Sequence, residues 1–136
     1  MEKVEKALQN HKNGYNCAQA VACAYSGELG IDEKTAFRMS EGFGLGMGAM
    51  ETCGAVTALA MVVGMKMSDG NMDSPATKAA CYKKARKMVE EFKNKNGSII
   101  CREIKGVGTG TILRSCEGCI EDAMAIIDGH LFTDEG

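Results

Sequence analysis

One segment near the middle of the chain, residues 55–67, is apolar nearly all the way round when it is drawn as a helix. A helix without a polar face has to be surrounded by other elements of the fold. The longest apolar stretch within it, 55–65, is 11 residues long and is interrupted by Thr57 and Gly64. A membrane-spanning helix needs about 20 apolar residues. We therefore predict a central buried helix here, and no membrane span.

Apolar residues at helical spacing also mark segments on both sides of this run. The pattern is present over 15–28, and Ser74-Pro75 supplies a cap and a first-turn proline for a long helix that ends near residue 93. Aromatic residues make up 5% of the chain and tryptophan is absent, which suits packed helices better than a β-sandwich. We predict an all-α single domain over 1–136. It is a helical bundle of about five or six helices, in which 15–28 and 75–93 flank the central helix, which we expect to be the most buried element.

The net charge and the first six residues indicate which partners the protein binds and in which compartment it is found. The formal net charge is −2 and the sequence pI is about 5.7, whereas a nucleic-acid-binding surface normally leaves a basic excess. The first residues, Met-Glu-Lys-Val-Glu-Lys, are charged and contain no apolar core of a signal peptide. We expect a cytoplasmic protein that binds neither nucleic acid nor a membrane. We also expect a homodimer, because a small bundle of this kind leaves some apolar surface to cover.

Cysteine is the unusual component of the composition. The chain has seven cysteines, an odd number, and an odd number without an export signal argues against a disulfide-stapled scaffold. In a reducing compartment, so many thiols indicate metal ligation, redox chemistry or small buried hydrophobes. They lie at positions 17, 23, 53, 81, 101, 116 and 119.

Cys53 has the strongest local argument for reactivity. If Thr52 caps the central helix, Cys53 occupies its first position, where unpaired N–H groups and the helix dipole stabilise a thiolate. This position is known to lower the pKa of a thiol. The alternating glycines of 42–48 lead into it, and Gly54 follows it. The sequence therefore predicts an approachable thiolate at Cys53.

Three further cysteines lie near predicted helix starts: Cys17, Cys101 and Cys116. Cys116 and Cys119 form a CxxC, which fits a redox dithiol, half of a zinc site, or one helical turn with Cys119 in the core. Cys23 and Cys81 lie in the middle of predicted helices among alanines, and there the sequence favours buried hydrophobes. Helix ends can gather on one side of a bundle, so we predict that the four helix-start cysteines converge.

Four short elements of the sequence resemble the signature of a known protein family. The matching elements are Asn16-Cys17-Ala18-Gln19-Ala20-Val21, Thr52-Cys53-Gly54-Ala55-Val56-Thr57, Cys101-Arg102-Glu103, and Cys116. They are similar to the signature of the C-GCAxxG-C-C family, whose name is itself an inference of redox activity from cysteines. The resemblance covers nearly the whole chain and implies Cys17, Cys53, Cys101 and Cys116 as the signature set, with Cys119 outside it. The closing glycine of the motif falls at Ala58 here.

Three functions are then open. The first is thiol–disulfide chemistry like that of an oxidoreductase, in which Cys53 attacks and Cys101, Cys116 or Cys17 resolves. It needs no cofactor, and a redox partner protein or a small thiol exchanges electrons with it. The second is an iron–sulfur cluster or a zinc ion held by the same four cysteines. The third is a helical binding or oligomerisation module with incidental cysteines.

Overall fold

Seven α-helices make up most of the chain in the computed structural model, which describes residues 2–133. They are α1 (Glu2–Lys12), α2 (Cys17–Leu29), α3 (Glu33–Glu41), α4 (Gly54–Met67), α5 (Lys78–Asn96), α6 (Cys101–Lys105) and α7 (Cys116–Leu131). No strand occurs in these residues, so the all-α prediction is confirmed. The predicted number of five or six helices is too low, because these residues form seven.

The middle of the bundle is shared between α2 and α4. α4 packs against α2, α5 and α7, so the two predicted neighbours do flank it. The prediction that α4 is the most buried helix is wrong: α2 buries eight of its 13 residues, and α4 buries seven of its 14. Ala60, Met65 and Lys66 of α4 are exposed. α2 instead contacts α1, α3, α4 and α7 along its length.

A short backbone link fixes the start of α4 relative to the start of α6. Thr52 and Ile100 form an isolated antiparallel bridge. On one side the Cys53 N–H donates to the Ile99 carbonyl at 2.7 Å, and on the other the Cys101 N–H donates to the Glu51 carbonyl at 2.6 Å. Two cysteines distant in sequence are thereby held side by side through their backbones.

A helix that crosses a membrane has to be both long and apolar. Across residues 2–133, no helix is both long enough and apolar enough to cross a bilayer.

Candidate functional site: a cavity lined by cysteines

An open cavity of about 500 Å³ lies where several helices begin, and five cysteines line it. They are Cys17, Cys53, Cys101, Cys116 and Cys119. The four cysteines of the predicted set therefore converge, although they are widely separated in the sequence. The two cysteines interpreted as packing residues, Cys23 and Cys81, do not line the cavity. We call this space the thiol cavity.

Two of the cysteines stand at the first position of a capped helix. Cys17 follows Asn16, whose side chain accepts a hydrogen bond from the Gln19 N–H at 2.9 Å while the Gln19 side chain accepts from the Asn16 N–H at 3.0 Å. Cys116 follows Ser115, whose hydroxyl accepts from the Gly118 N–H at 3.0 Å. These caps are the ones that favour helix initiation, so local sequence positions both thiols.

Cys53 differs from the prediction in one respect. It is the N-cap residue of α4 and not its first helical residue, because Thr52 is engaged in the bridge with Ile100. Its sulfur makes no regular cap hydrogen bond, yet the N–H groups of Ala55 and Val56 are directed to it and lower its pKa. The start of α4 therefore lowers the pKa of Cys53 as predicted, but Cys53 occupies the N-cap position and not the first helical position.

Glycine at position 54 allows the starts of α2 and α4 to meet. A Cβ at Gly54 would lie 3.1 Å from the Ala18 nitrogen and 3.1 Å from the Phe43 carbonyl oxygen. Both of these are backbone atoms, which cannot turn aside as a side chain can. Gly54 therefore brings Cys53 close to Cys17, at the neighbouring start of α2.

Cys53 is paired with Cys119. A hydrogen bond from the Cys119 thiol is the largest cause that lowers the pKa of Cys53, to about 7, and it outweighs the opposing effect of burial. The same hydrogen bond raises the pKa of Cys119 well above its ordinary range, with burial as the next cause. Both side chains are nearly inaccessible, with 6% of Cys53 and 2% of Cys119 exposed. This is an inner pair in which Cys53 loses its proton more readily than Cys119.

Cys17 is paired with Cys116 in the same way. Hydrogen bonding from the Cys17 thiol lowers the pKa of Cys116 to about 6, with Lys105 and His11 adding to the effect against burial. The pKa of Cys17 is raised correspondingly, by the Cys116 hydrogen bond first and by burial second. Both cysteines are only half-buried. This outer pair is therefore the one that solvent reaches.

Cys101 belongs to neither pair. Burial is the main cause that raises its pKa, and the nearby Lys105 opposes this. Only 6% of the residue is exposed. Its position at the start of α6 does not lower the pKa, so the helix-start argument fails for this cysteine.

Sequence reasoning missed Cys119 as a lining residue, although a signal was present. Cys116 and Cys119 are three residues apart on α7 and therefore lie on one face of the helix. In the sequence the CxxC fits three alternatives, and the family resemblance places Cys119 outside the signature set. The structure places it in the cavity, against Cys53.

A histidine was also missed. One ring nitrogen of His11 and the sulfurs of Cys17 and Cys116 all lie within 4.8 Å of one another, so this group could hold a metal ion. Among the described residues, Cys53 and Cys101 do not join the group at that distance. A single-ion site made from all four predicted cysteines is therefore not preformed.

Comparison with known proteins gives one match. The model of a family described as "Putative redox-active protein (C_GCAxxG_C_C)" matches residues 15–129 of the chain. No curated protein and no solved structure matches it.

Proposed function

Because the chain belongs to the C_GCAxxG_C_C family, we propose that it is a dithiol–disulfide redox protein whose chemistry takes place in the thiol cavity. One arrangement carries this proposal: four cysteines around an open cavity lie in two pairs, and in each pair one thiol lowers the pKa of the other. Thiol–disulfide exchange needs a thiolate to attack and a second thiol to resolve the mixed disulfide.

The outer pair meets a substrate first, because Cys17 and Cys116 are the more accessible cysteines. Cys116 attacks one sulfur of a substrate disulfide, so that a Cys116–substrate bond forms while the substrate disulfide breaks and releases a thiolate. Cys17 then gives up its proton to the second departing thiolate and attacks Cys116. Two electrons pass to the substrate, and the protein retains a Cys17–Cys116 disulfide. The reverse sequence reduces the protein.

The inner pair supplies a second dithiol. Cys53 remains the proposed nucleophile of this pair, and Cys119 takes the resolving role that the sequence had assigned to other cysteines. Since Cys53 is 6% exposed, a substrate reaches it only through the cavity. A small thiol or an extended segment of a redox protein fits this constraint. We place the reaction in the cytoplasm, where the reducing poise suits free thiols.

Disulfide mapping tests the proposal. The reduced protein is equilibrated with glutathione buffers of increasing oxidation, trapped with an alkylating agent and digested. We expect Cys17–Cys116 and Cys53–Cys119 disulfides, with Cys81 alkylated throughout. Cys81→Ser is the matched control, because Cys81 is half-buried like the outer pair but lies outside the cavity. Absence of any disulfide between cavity cysteines would overturn the proposal.

A metal centre is the second candidate, and the number of thiols around one cavity favours it. Four thiolates on different irons of an iron–sulfur cluster need not approach as closely as the ligands of one zinc ion. Anaerobic purification followed by iron and acid-labile sulfide analysis tests this candidate. A brown protein with both elements near stoichiometric amounts would replace the thiol-only function.

A further inference from the structure

Among the residues that the structure describes, His11 is the histidine that groups closely with the outer pair, and it belongs to α1 while the two sulfurs belong to α2 and α7. The three ligand atoms lie within 4.8 Å of one another. In a tetrahedral zinc site, with bonds of about 2.3 Å to sulfur and about 2.0 Å to nitrogen, ligand atoms lie about 3.5–3.8 Å apart. Side-chain shifts of about an ångström would therefore complete the geometry.

A carboxylate already stands behind the histidine. His11 Nδ1 lies 3.3 Å from Glu117 Oε2. When Nε2 binds an ion, the Nδ1 N–H would donate to this carboxylate. Metal-bound histidines almost always donate their other N–H to such a partner, which orients the ring and raises its basicity. Glu117 directly follows Cys116, so one turn of α7 supplies both a sulfur and this carboxylate.

We propose that His11, Cys17 and Cys116 form a site for a zinc-like divalent ion, and that this ion and the Cys17–Cys116 disulfide exclude each other. Imidazole and thiolate together are a ligand set that zinc favours, and two thiolates neutralise the charge of the ion. In the part of the chain that the structure describes, no fourth cysteine, histidine or carboxylate lies within the same distance of all three. All three residues line the thiol cavity, so water or a small ligand from the cavity would supply the fourth ligand.

The exclusion rests on the proposed function, because both states use the same two sulfurs. When glutathione disulfide oxidises the pair, two electrons leave Cys17 and Cys116, and both sulfurs are lost as ligands. The Cys17 proton passes to one departing glutathione thiolate, and the other glutathione thiolate takes a proton from solvent. When the ion is bound first, both sulfur lone pairs are directed to it and attack on a disulfide is suppressed. Metal binding would thus hold the outer pair in its reduced state.

The two histidines of the chain provide a matched pair of variants for the first test. His130 also contacts a glutamate, Glu91, at 2.8 Å, and its side chain is 19% exposed against 21% for His11, but it lies outside the cavity. Reduced wild-type protein, His11→Ala and His130→Ala are titrated with Zn²⁺ against a chromophoric chelator. Co²⁺ absorption reports thiolate ligation. We expect His11→Ala to weaken binding at least about tenfold and His130→Ala to match the wild type.

The second test measures Cys17–Cys116 disulfide formation with glutathione disulfide, with and without Zn²⁺. We expect Zn²⁺ to slow it at least about tenfold in the wild type, at a concentration that has little effect on His11→Ala. Unchanged Zn²⁺ affinity in His11→Ala, or no binding to the wild type, would overturn the site. Equal oxidation rates with and without Zn²⁺ bound would overturn the exclusion. Failure of the metal-free protein to form the disulfide would instead count against the proposed redox function, while the zinc titration still tests the site.

Discussion

Cys119 of α7 lies beside Cys53 at the start of α4, and the interaction between the two thiols is the largest cause of the lowered pKa of Cys53. The N–H groups at the start of α4 contribute less. The lowered pKa predicted for Cys53 from its helix position therefore depends mainly on Cys119, which the family resemblance places outside the signature set.

Replacing Cys119 with alanine should make Cys53 less reactive at neutral pH. The change removes the hydrogen bond that lowers the pKa of Cys53, so this pKa rises from about 7. A rise of one unit would reduce the thiolate fraction at pH 7 from about half to about a tenth. Alkylation of Cys53 by iodoacetamide, followed by mass spectrometry, should slow about fivefold. Cys81→Ala is the control and should leave the rate unchanged.

The order of labelling in the reduced metal-free protein should separate the cavity thiolates from the other cysteines. At pH 6.5–7 we expect Cys116 to be alkylated first and Cys53 next, because their pKa values are lowered to about 6 and about 7. Cys116 precedes Cys53 because it is more exposed. Cys23, whose pKa burial raises to about 11, should lag behind both. Labelling led by Cys23 or Cys101 would contradict this order.

The glycines of α4 should respond in opposite directions to substitution by alanine. At Gly54 the new methyl group would press on backbone atoms of Ala18 and Phe43, so we expect a loss of about 1–3 kcal/mol in the free energy of unfolding. At Gly64 the added methyl group meets open space, and the gain in helix propensity should stabilise the protein by up to about 1 kcal/mol. Urea unfolding measures both. Similar effects at the two positions would argue against the close approach of α2 and α4.

Asp122 should stabilise α7 in a pH-dependent manner. It is buried and accepts hydrogen bonds from Arg114 Nε at 3.0 Å and Arg114 Nη2 at 3.2 Å, and it pairs with Lys95 at 2.8 Å. Burial raises its pKa, but these partners lower it overall. A lowered pKa in the folded state means that the stabilisation is present above the unfolded pKa of about 4 and is lost as the pH falls through the folded value.

We therefore expect Asp122→Asn to reduce the free energy of unfolding at pH 7 by about 1–3 kcal/mol, and the difference from the wild type to shrink below about pH 4. Glu121→Gln is the control, because its more exposed contact with Arg114 at 3.7 Å should be worth less than about 1 kcal/mol. A difference that persists undiminished at low pH would show that the carboxylate charge is not the cause.

Much of the site could be predicted from the sequence because it depends on local rules. The cap residues Asn16 and Ser115 determine where α2 and α7 begin, and so place Cys17 and Cys116 at helix starts. The apolar run after Cys53 predicts a packed helix, and α4 is one, although its last turn is exposed. The predicted position of Cys53 in the helix was wrong by one residue, because Thr52 pairs with Ile100. Only the folded chain creates this contact.

The amino-acid sequence by itself determined the all-α class and the positions of the helix-start thiols, since both follow from interactions within a few residues. Only the tertiary structure decided which thiols are partners. A thiol pKa depends on what lies within a few ångströms of the sulfur, and for Cys53 that is Cys119, while for Cys116 it is Cys17. His11 joins the outer pair for the same reason: it comes from a third helix, and no periodicity or spacing in the chain indicates that α1 ends beside the start of α7.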